Sequence, residues 1–264
     1  MEKDLKFTKL HLPCPACGSS DALSVNENGS AKCFSCDKFF PKGVDGQAVT
    51  PTQTNETIRE VNAHGGVFAK LTDRSISRET AEKYGVKTVY DGSGAIAQHV
   101  YPLYINNELT SNKIRYVRDK KFSYDVSPQG VGLFGQQLFK EGGKYLTITE
   151  GECDAMAAYE LLGSKWAVVS IIKGAAGAVK DIKDNLEYIE SFDNIVICFD
   201  KDKQGIEAAK KVATLLKPGK AKIVTLPNGY KDANDMLIKG KYKEFTSAWW
   251  DAKLFTPSSI IRVS

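Results

Sequence analysis

The sequence predicts a mainly parallel α/β domain preceded by a small all-β module, and three features carry this prediction. Two Cys-x-x-Cys pairs, CPAC at 14–17 and CFSC at 33–36, hold four of the six cysteines of the 264-residue chain. A polar stretch at 41–62 contains almost no large apolar residue. From 144 onward, short apolar runs rich in β-branched residues alternate with helix-like segments. That alternation is typical of a parallel sheet with right-handed crossover connections.

The bulk composition is that of an ordinary globular chain, with 42% hydrophobic and 26% charged residues. No apolar run is long enough to span a membrane, and the first residues, MEKDLKFTKLHL, lack the apolar core of a signal peptide. We therefore expect a reducing, cytosolic setting, in which paired cysteines favour a metal site over disulfides.

The first module, at 1–40, is predicted to be a zinc ribbon. The tight turn of a Cys-x-x-Cys pair brings two thiolates to one tetrahedral ion, and two such pairs separated by a hairpin close the site. The intervening LSVNENGSAKCF predicts strand, Asn-Gly turn and strand. A thioredoxin-like redox pair would need one such motif opening a helix, not two. The expected ligands of one structural Zn²⁺ are Cys14, Cys17, Cys33 and Cys36.

A zinc ribbon binds DNA, binds protein or only braces a fold. Four thiolates on one zinc make this module net acidic, so non-specific phosphate binding is not expected. If it contacts nucleic acid, side chains on the hairpin should read base edges, and the candidates are His11, Asn28, Ser30 and Lys32. The stretch at 41–62 then predicts a flexible tether between this module and the rest of the chain.

The segment at 143–255 predicts four strands, each followed by a helix or a turn. The strands are KYLTITEG, KWAVVSII, DNIVICFD and AKIVTLP. Helices are expected at DAMAAYELLG, after the turn KGAAGA, at IEAAKKVATLL and near the end at KEFTSAWWDAKL. Open sheets of this kind build their sites at the carboxyl ends of the strands.

Acidic residues stand at those strand ends. Glu150 ends the first strand, Asp200 ends the third with Asp202 close behind, and Asp232 follows the fourth. Converging carboxylates repel one another unless a cation lies between them, and hard oxygen ligands suit Mg²⁺ or Mn²⁺. Such ions support phosphoryl or nucleotidyl transfer. Any one of these acids alone is better interpreted as a helix cap. The three motifs that contain them, TEGECDA, FDKDKQG and KDAND, together favour a metal site.

The segment at 63–142 is basic. The net charge of +4 does not by itself call for a nucleic-acid partner, but the charge is concentrated in KIRYVRDKK. Its cationic side chains are Lys113, Arg115, Arg118, Lys120 and Lys121. They suit a triphosphate or a nucleic-acid backbone, and the alternative is a solvated basic strand pair.

These motifs together resemble a known family. A Glu-Gly ending one strand and an Asp-x-Asp ending a later one resemble the Toprim domain of primases, topoisomerases and some nucleases. The ribbon in front narrows the resemblance to primases. LHLPCPACGSSD, LTDRSISRET, LFGQQLFKEGGKYLTITEGECDA, FDKDKQGIEAA and KDAND resemble, in order, the primase half of the T-seven-like bacteriophage primase–helicases. The likeness runs from about His11 to Trp250.

The resemblance implies a DNA primase that synthesises short RNA primers from ribonucleoside triphosphates on single-stranded DNA. Glu150, Asp200 and Asp202 would bind two divalent ions, with Asp154 and Asp232 as supporting acids. Lys113 and Lys120 would lie near the triphosphate and the nucleic acid, with Arg115, Arg118 and Lys121 as neighbours. The implied partners are a helicase domain, in the same chain or separate, and a replicative DNA polymerase that receives the primer in the bacterial host cytoplasm.

The sequence departs from the family at two places and lacks its motor. The hairpin tip is Asn28-Gly29-Ser30 where the family has an acid and a histidine, so the template start site is expected to differ or to be read less strictly. Lys173 stands where the family can show a histidine. No G-x-x-x-x-G-K-[ST] loop occurs, so 256–264 is interpreted as the start of a linker in a chain cut before the motor or in a short natural form.

Two other functions remain as alternatives. A single-stranded-DNA-binding module without synthesis should have lost cysteines or metal-binding acids, and this sequence keeps them. A Toprim nuclease would use the same metals with water, but such proteins do not usually begin with this ribbon.

Overall fold

The structure, a computed structural model, describes residues 7–27, 29–36, 38–40 and 65–257. The chain divides into two units, Met1–Glu60 and Val61–Ser264. The predicted tether at 41–62 and most of the predicted terminal linker at 256–264 lie outside the described residues. Within them, no helix is long and apolar enough to cross a membrane.

The first unit is an antiparallel sheet of four strands in sequential order. The strands are β1 (Phe7–Leu12), β2 (Leu23–Asn26), β3 (Ala31–Cys33) and β4 (Phe39–Phe40). The predicted hairpin is confirmed, because β2 pairs with β3 and places Leu23 opposite Cys33. The buried core consists of Cys14, Leu23, Val25, Ala31 and Cys33. So small a core cannot offset the entropy of ordering the chain without a further cross-link.

The second unit begins with an antiparallel sheet and short helical elements. A 3-10 helix (Thr72–Arg74) and helix α1 (Arg78–Lys83) precede β5 (Lys87–Tyr90), β6 (Ile96–Ile105), β7 (Glu108–Tyr116) and β8 (Lys121–Tyr124). The Thr80 N–H donates a hydrogen bond to Ser77 Oγ at 3.2 Å, which caps α1. The β6–β7 pairing places Lys113 opposite Tyr101 and Arg115 opposite His99, so these four side chains share one face.

A five-stranded sheet follows, in the order β10-β9-β11-β12-β13. Its strands are β9 (Gly143–Thr149), β10 (Ala167–Ser170), β11 (Phe192–Cys198), β12 (Ala221–Ile223) and β13 (Lys253–Leu254). The first four pair in parallel and β13 is antiparallel. The mainly parallel α/β prediction is therefore confirmed.

The helices of this sheet follow its strands. They are α2 (Glu152–Leu161), α3 (Gly174–Asp184), α4 (Leu186–Glu190), α5 (Lys203–Ala213), α6 (Ala233–Ile238) and α7 (Tyr242–Trp250). One core cluster includes Met156 of α2 and Trp249 of α7, and a second includes Ile182 of α3 and Val212 of α5. Because β9 and β11 are parallel neighbours with Cys198 opposite Thr149, the residues that follow these two strands meet at one edge.

Candidate metal and nucleotide sites

The four cysteines of the first unit form a preformed tetrad. Their sulfurs lie within 4.8 Å of one another, with Cys17 Sγ 3.7 Å from Cys33 Sγ and Cys14 Sγ 3.9 Å from Cys36 Sγ. A tetrahedral zinc with Zn–S bonds of about 2.3 Å separates its sulfurs by about 3.8 Å. The tetrad therefore fits zinc.

The Cys33 thiol is already biased toward the thiolate that zinc requires. Burial raises its pKa, but hydrogen bonds from the backbone N–H groups of Cys36 and Ser35 help to outweigh burial. The net effect lowers the pKa to about 7. The neighbouring Cys36 shows the opposite shift: a backbone hydrogen bond at Lys38 lowers its pKa, but burial and hydrogen bonds with Cys33, Cys17 and Cys14 outweigh it and raise the pKa to about 12. Zinc binding would therefore still release protons from the tetrad.

The predicted base-reading residues of the ribbon occupy different positions. His11 is exposed in β1 with a left-handed backbone (φ 59°). Ser30 is buried, and its Oγ accepts a hydrogen bond of 3.0 Å from Asn26 Nδ2. Lys32 Nζ lies 5.6 Å from the ring centroid of the exposed Phe34. Asn28 lies outside the described residues.

In the second unit, the acids predicted from the strand ends lie around one edge of the parallel sheet. Glu150 directly follows β9, Asp200 follows β11 by two residues, and Asp154 is in the first turn of α2. These three line a cavity of about 460 Å³ together with Lys113 and Lys231. The strand-end pattern thus brings together acids that are 50 residues apart in the chain, as parallel neighbouring strands require.

Asp202 and Asp232 are helix caps next to this cavity. The Gly205 N–H donates to Asp202 Oδ1 at 2.8 Å at the start of α5, and the Asp235 N–H donates to Asp232 Oδ1 at 2.7 Å at the start of α6. The capping interpretation of these two acids is therefore correct for one oxygen of each. It does not exclude a metal contact, because each carboxylate has a second oxygen.

Burial and mutual repulsion raise the pKa values of the cavity acids. Burial raises the pKa of Glu150, and the charge of Asp200 raises it further. Burial also raises the pKa of Asp200, although Lys231 opposes this. The pKa of Asp154 lies well above its usual range because of burial and the charges of Asp232 and Asp200.

One carboxylate oxygen at this cavity lacks, in the described part of the chain, a partner that a cation could supply. Glu150 Oε2 is buried, and no hydrogen-bond partner reaches it within the part of the chain that the structure describes. A divalent ion bound to a buried, unpaired carboxylate oxygen would offset both its lost hydration and the repulsion from neighbouring carboxylates. These acids lie further apart than the cysteines. Among the described residues, only the four cysteines place three or more possible ligand atoms within 4.8 Å of one another. The donor set fits Mg²⁺ or Mn²⁺.

Lys113, predicted as a triphosphate contact, lies at the wall of the cavity and is buried. Its Nζ donates to Glu152 Oε1 and to the Ile172 carbonyl oxygen, each at 2.6 Å. It also lies 4.7 Å from the centroid of the Phe122 ring. Glu152 was not among the predicted site residues. The available signal was its position as the second acid of the motif TEGECDA.

The remaining basic candidates divide into two groups. Arg115 is 9% exposed, and its Nη1 has no hydrogen-bond partner within the described residues. Arg118, Lys120 and Lys121 are exposed at the β7–β8 turn, where Lys120 has a left-handed backbone (φ 53°). The dense basic run is therefore not one uniform surface.

Lys231 is a second site residue that sequence reasoning missed. Its Nζ lies 2.9 Å from Asp200 Oδ2 and 3.8 Å from Asp232 Oδ2. The available signal was its place directly before Asp232 in the motif KDAND.

The fold and the carboxylate cavity together define a Toprim-type protein that carries a four-cysteine ribbon. Residues 147–237 match the family described as Toprim-like. That match begins within β9, covers β10, β11 and β12, and includes the acids that follow these strands.

Similarity over nearly the whole chain identifies the family. The chain is 33% identical over 261 residues to the DNA helicase/primase of Enterobacteria phage T3, covering 95% of this chain and 45% of that protein. The chain thus spans about half the length of that relative. The crystal structure of the primase fragment of the bacteriophage T7 primase-helicase protein matches with 32% identity and a TM-score of 0.64, over 92% of this chain and 99% of that one.

A second T7 structure matches in the same way. It holds the lagging-strand DNA polymerase interacting with primase domains of two subunits bound to an RNA/DNA hybrid and dTTP. The match has 34% identity and a TM-score of 0.65, and it covers 72% of this chain and 94% of that one. The chain belongs to the family of the primase domains of phage primase–helicases.

Proposed function

We propose that this chain is a DNA primase, which joins ribonucleotides into short RNA primers on a single-stranded DNA template. The observation that carries the proposal is the cavity in which Glu150, Asp154 and Asp200 lie beside Lys113 and Lys231. Acids for divalent ions next to cations for phosphate groups are what a metal-bound triphosphate requires. Relatives at 32–34% identity are primases.

Glu150, Asp200 and Asp202 would bind the two divalent ions, and Asp154 and Asp232 would support them. When bound, such ions lower the pKa of the attacking 3′-hydroxyl and stabilise the charge on the leaving pyrophosphate. Lys113 would contact the triphosphate from the cavity wall, where Glu152 orients its ammonium group. Arg115 would contribute from the same strand.

We assign template contacts to two regions of the chain. Arg118, Lys120 and Lys121 at the β7–β8 turn would screen the template backbone, because exposed cations release counterions from the phosphates. The ribbon, with one structural Zn²⁺, would select the start site through His11, Asn28 and Lys32, whereas the buried Ser30 would act through its hydrogen bond with Asn26.

The partners of the proposed primase follow from its relatives. A helicase domain, in the same chain or separate, would move the primase along DNA, since the phage T3 relative is a helicase/primase. A replicative DNA polymerase would receive the primer, since the T7 polymerase interacts with two primase domains. Both activities would take place in the cytoplasm of the bacterial host.

The test is an oligoribonucleotide synthesis assay with labelled ribonucleotides, Mg²⁺ or Mn²⁺ and a library of single-stranded templates. Wild type is compared with Asp200→Ala and Cys33→Ser. We expect template-dependent products of a few nucleotides that disappear with Asp200→Ala and lose sequence preference with Cys33→Ser. Template binding without products would favour a binding module, and shortened template strands would favour a nuclease.

A further inference from the structure

The Lys231 ammonium occupies the position of a cation between two of the metal-binding acids. Its Nζ is 2.9 Å from Asp200 Oδ2 and within 3.8 Å of Asp232 Oδ2. The Asp200 side chain is only 14% exposed, whereas the Lys231 side chain is 62% exposed. A largely buried carboxylate is thus neutralised by a long, mostly exposed side chain that can swing off it within the cavity that both residues line.

The backbone of Lys231 is fixed although its side chain is exposed. The Lys201 N–H donates to the Lys231 carbonyl oxygen at 2.8 Å, and the Lys231 N–H donates to Asp235 Oδ2 at 3.2 Å. These bonds join the loop after β11 to the start of α6. The backbone of Lys231 is therefore held in place, and only its side chain has to move for the ammonium group to reach or leave Asp200.

The neighbouring Lys201 does not share this arrangement, although it directly follows Asp200. Its Nζ donates to Asn228 Oδ1 at 2.7 Å and to the Pro227 carbonyl oxygen at 3.3 Å. Two lysines next to the same acids, the exposed Lys231 and the half-buried Lys201, thus have different partners, and of these two only Lys231 forms an ion pair with Asp200. The difference supplies a matched control.

We propose that Lys231 is a resident cation that competes with divalent metal for Asp200, so that metal binding displaces its ammonium group into the cavity. This inference rests on the proposed function, since it assumes that Asp200 binds metal. The ammonium group 2.9 Å from Asp200 Oδ2 takes up one lone pair of that oxygen, and its positive charge repels a divalent ion that approaches the same carboxylate. The displaced ammonium group remains in the cavity, where it can donate to phosphate oxygens.

The competition has a functional consequence. Without metal, Lys231 reduces the repulsion among Asp200, Asp232 and Asp154. With metal, the same charge is released at the cavity where a triphosphate would lie. Lys231 would thus weaken the binding of free metal and favour metal that arrives with a nucleotide.

The experiment measures Mn²⁺ binding to the zinc-loaded chain by the electron paramagnetic resonance signal of free Mn²⁺, without nucleotide or DNA. Lys231→Met removes the charge and keeps the length of the side chain. We expect its dissociation constant for Mn²⁺ to be about two- to fivefold lower than that of wild type, the range of a partly exposed ion pair. Lys231→Arg keeps the charge and Lys201→Met removes a neighbouring one, and both should bind Mn²⁺ as wild type does.

The outcomes separate this inference from the proposed function. If Asp200→Asn binds Mn²⁺ as tightly as wild type, the metal site of the proposed function is wrong. If Asp200→Asn weakens binding but Lys231→Met equals wild type, only the role of Lys231 is overturned. Thermal unfolding provides a second readout: Mn²⁺ should raise the midpoint of Lys231→Met more than that of wild type, and an equal rise in both would also overturn the role.

Discussion

At the scale of single residues, Asp125 shows how one carboxylate fixes the strand that carries Lys113. Its Oδ1 accepts hydrogen bonds from the Asn112 N–H at 2.6 Å and Ser111 Oγ at 3.0 Å, and its Oδ2 accepts one from Asn112 Nδ2 at 2.7 Å. Burial raises the pKa of Asp125, but these bonds and one from the Val126 N–H outweigh it, so the pKa lies below its usual range.

A lowered pKa predicts a particular pH dependence. The stabilisation by Asp125 is present above the unfolded-state pKa of about 3.9 and is lost as the pH falls through the lower folded-state pKa. Asp125→Asn should therefore lower the free energy of unfolding by about 1–2 kcal/mol at pH 7. The difference from wild type should shrink below about pH 4. Urea unfolding at pH 7 and pH 3 measures both, with the exposed Asp193→Asn as control; an equal loss at both pH values would contradict the prediction.

Lys113 and Glu152 form the second residue-scale case, because their ion pair is buried on both sides, with side chains 9% and 5% exposed. Removing one member leaves an uncompensated buried charge, which costs about 3–5 kcal/mol. Lys113→Met should therefore destabilise the chain by roughly 3 kcal/mol and abolish primer synthesis.

The double variant Lys113→Met/Glu152→Gln separates these two effects. It removes both charges, so most of the stability should return while synthesis stays absent, because the triphosphate contact is still missing. Thermal unfolding and the synthesis assay on the same samples measure the two quantities. Recovery of synthesis in the double variant would show that Lys113 acts only as a structural ion.

At the scale of secondary-structure elements, the start of α5 approaches the site closely at Gly205. A Cβ built at this position would overlap the Asp200 carbonyl oxygen and lie 2.9 Å from Glu150 Oε2. Glycine is required here for close packing of the helix against the strand ends, not for a left-handed backbone.

Gly205→Ala should therefore push α5 away from the acids. We expect a loss of about 1–3 kcal/mol in the free energy of unfolding, as for other overpacked sites, and weaker Mn²⁺ binding. Gly92→Ala is the matched control, since a Cβ there would have no neighbour within 4 Å. Wild-type Mn²⁺ binding by Gly205→Ala would mean that α5 can shift without moving Glu150 and Asp200.

At the scale of the whole molecule, the two units are expected to be independently stable. The first has a core of five small or medium residues, two of which are the cysteines Cys14 and Cys33, so its folding free energy must come largely from zinc. The second has two large apolar clusters on the two faces of its parallel sheet.

A fragment of residues 61–264 should therefore fold without zinc and bind Mn²⁺ as the whole chain does. It should lose preference for a template start site, because the proposed reader is absent. Circular dichroism, Mn²⁺ titration and the template library test these three points. A fragment that keeps the start-site preference of the whole chain would assign template selection to the second unit.

Features whose chemistry is local could be predicted from the order of the residues. Two residues separate Cys14 from Cys17, and two separate Cys33 from Cys36. That spacing alone predicts a metal tetrad. Glu150 and Asp200 each end an apolar run, and parallel strands place such ends at one edge. A repeating pattern or a short spacing can be recognised along the chain, so these features could be predicted without knowledge of the fold.

The pairing of the acids with particular cations, by contrast, could not be predicted and became visible in the folded chain. Lys113 meets Glu152 across 39 residues, and Lys231 reaches Asp200 from the loop before α6. The basic run KIRYVRDKK gave no sign that Lys113 and Arg115 are buried while Lys120 is exposed, because alternation on a strand shows two faces but not which one is covered. Burial and the reach of a long side chain depend on elements distant in sequence, and packing of those elements sets both.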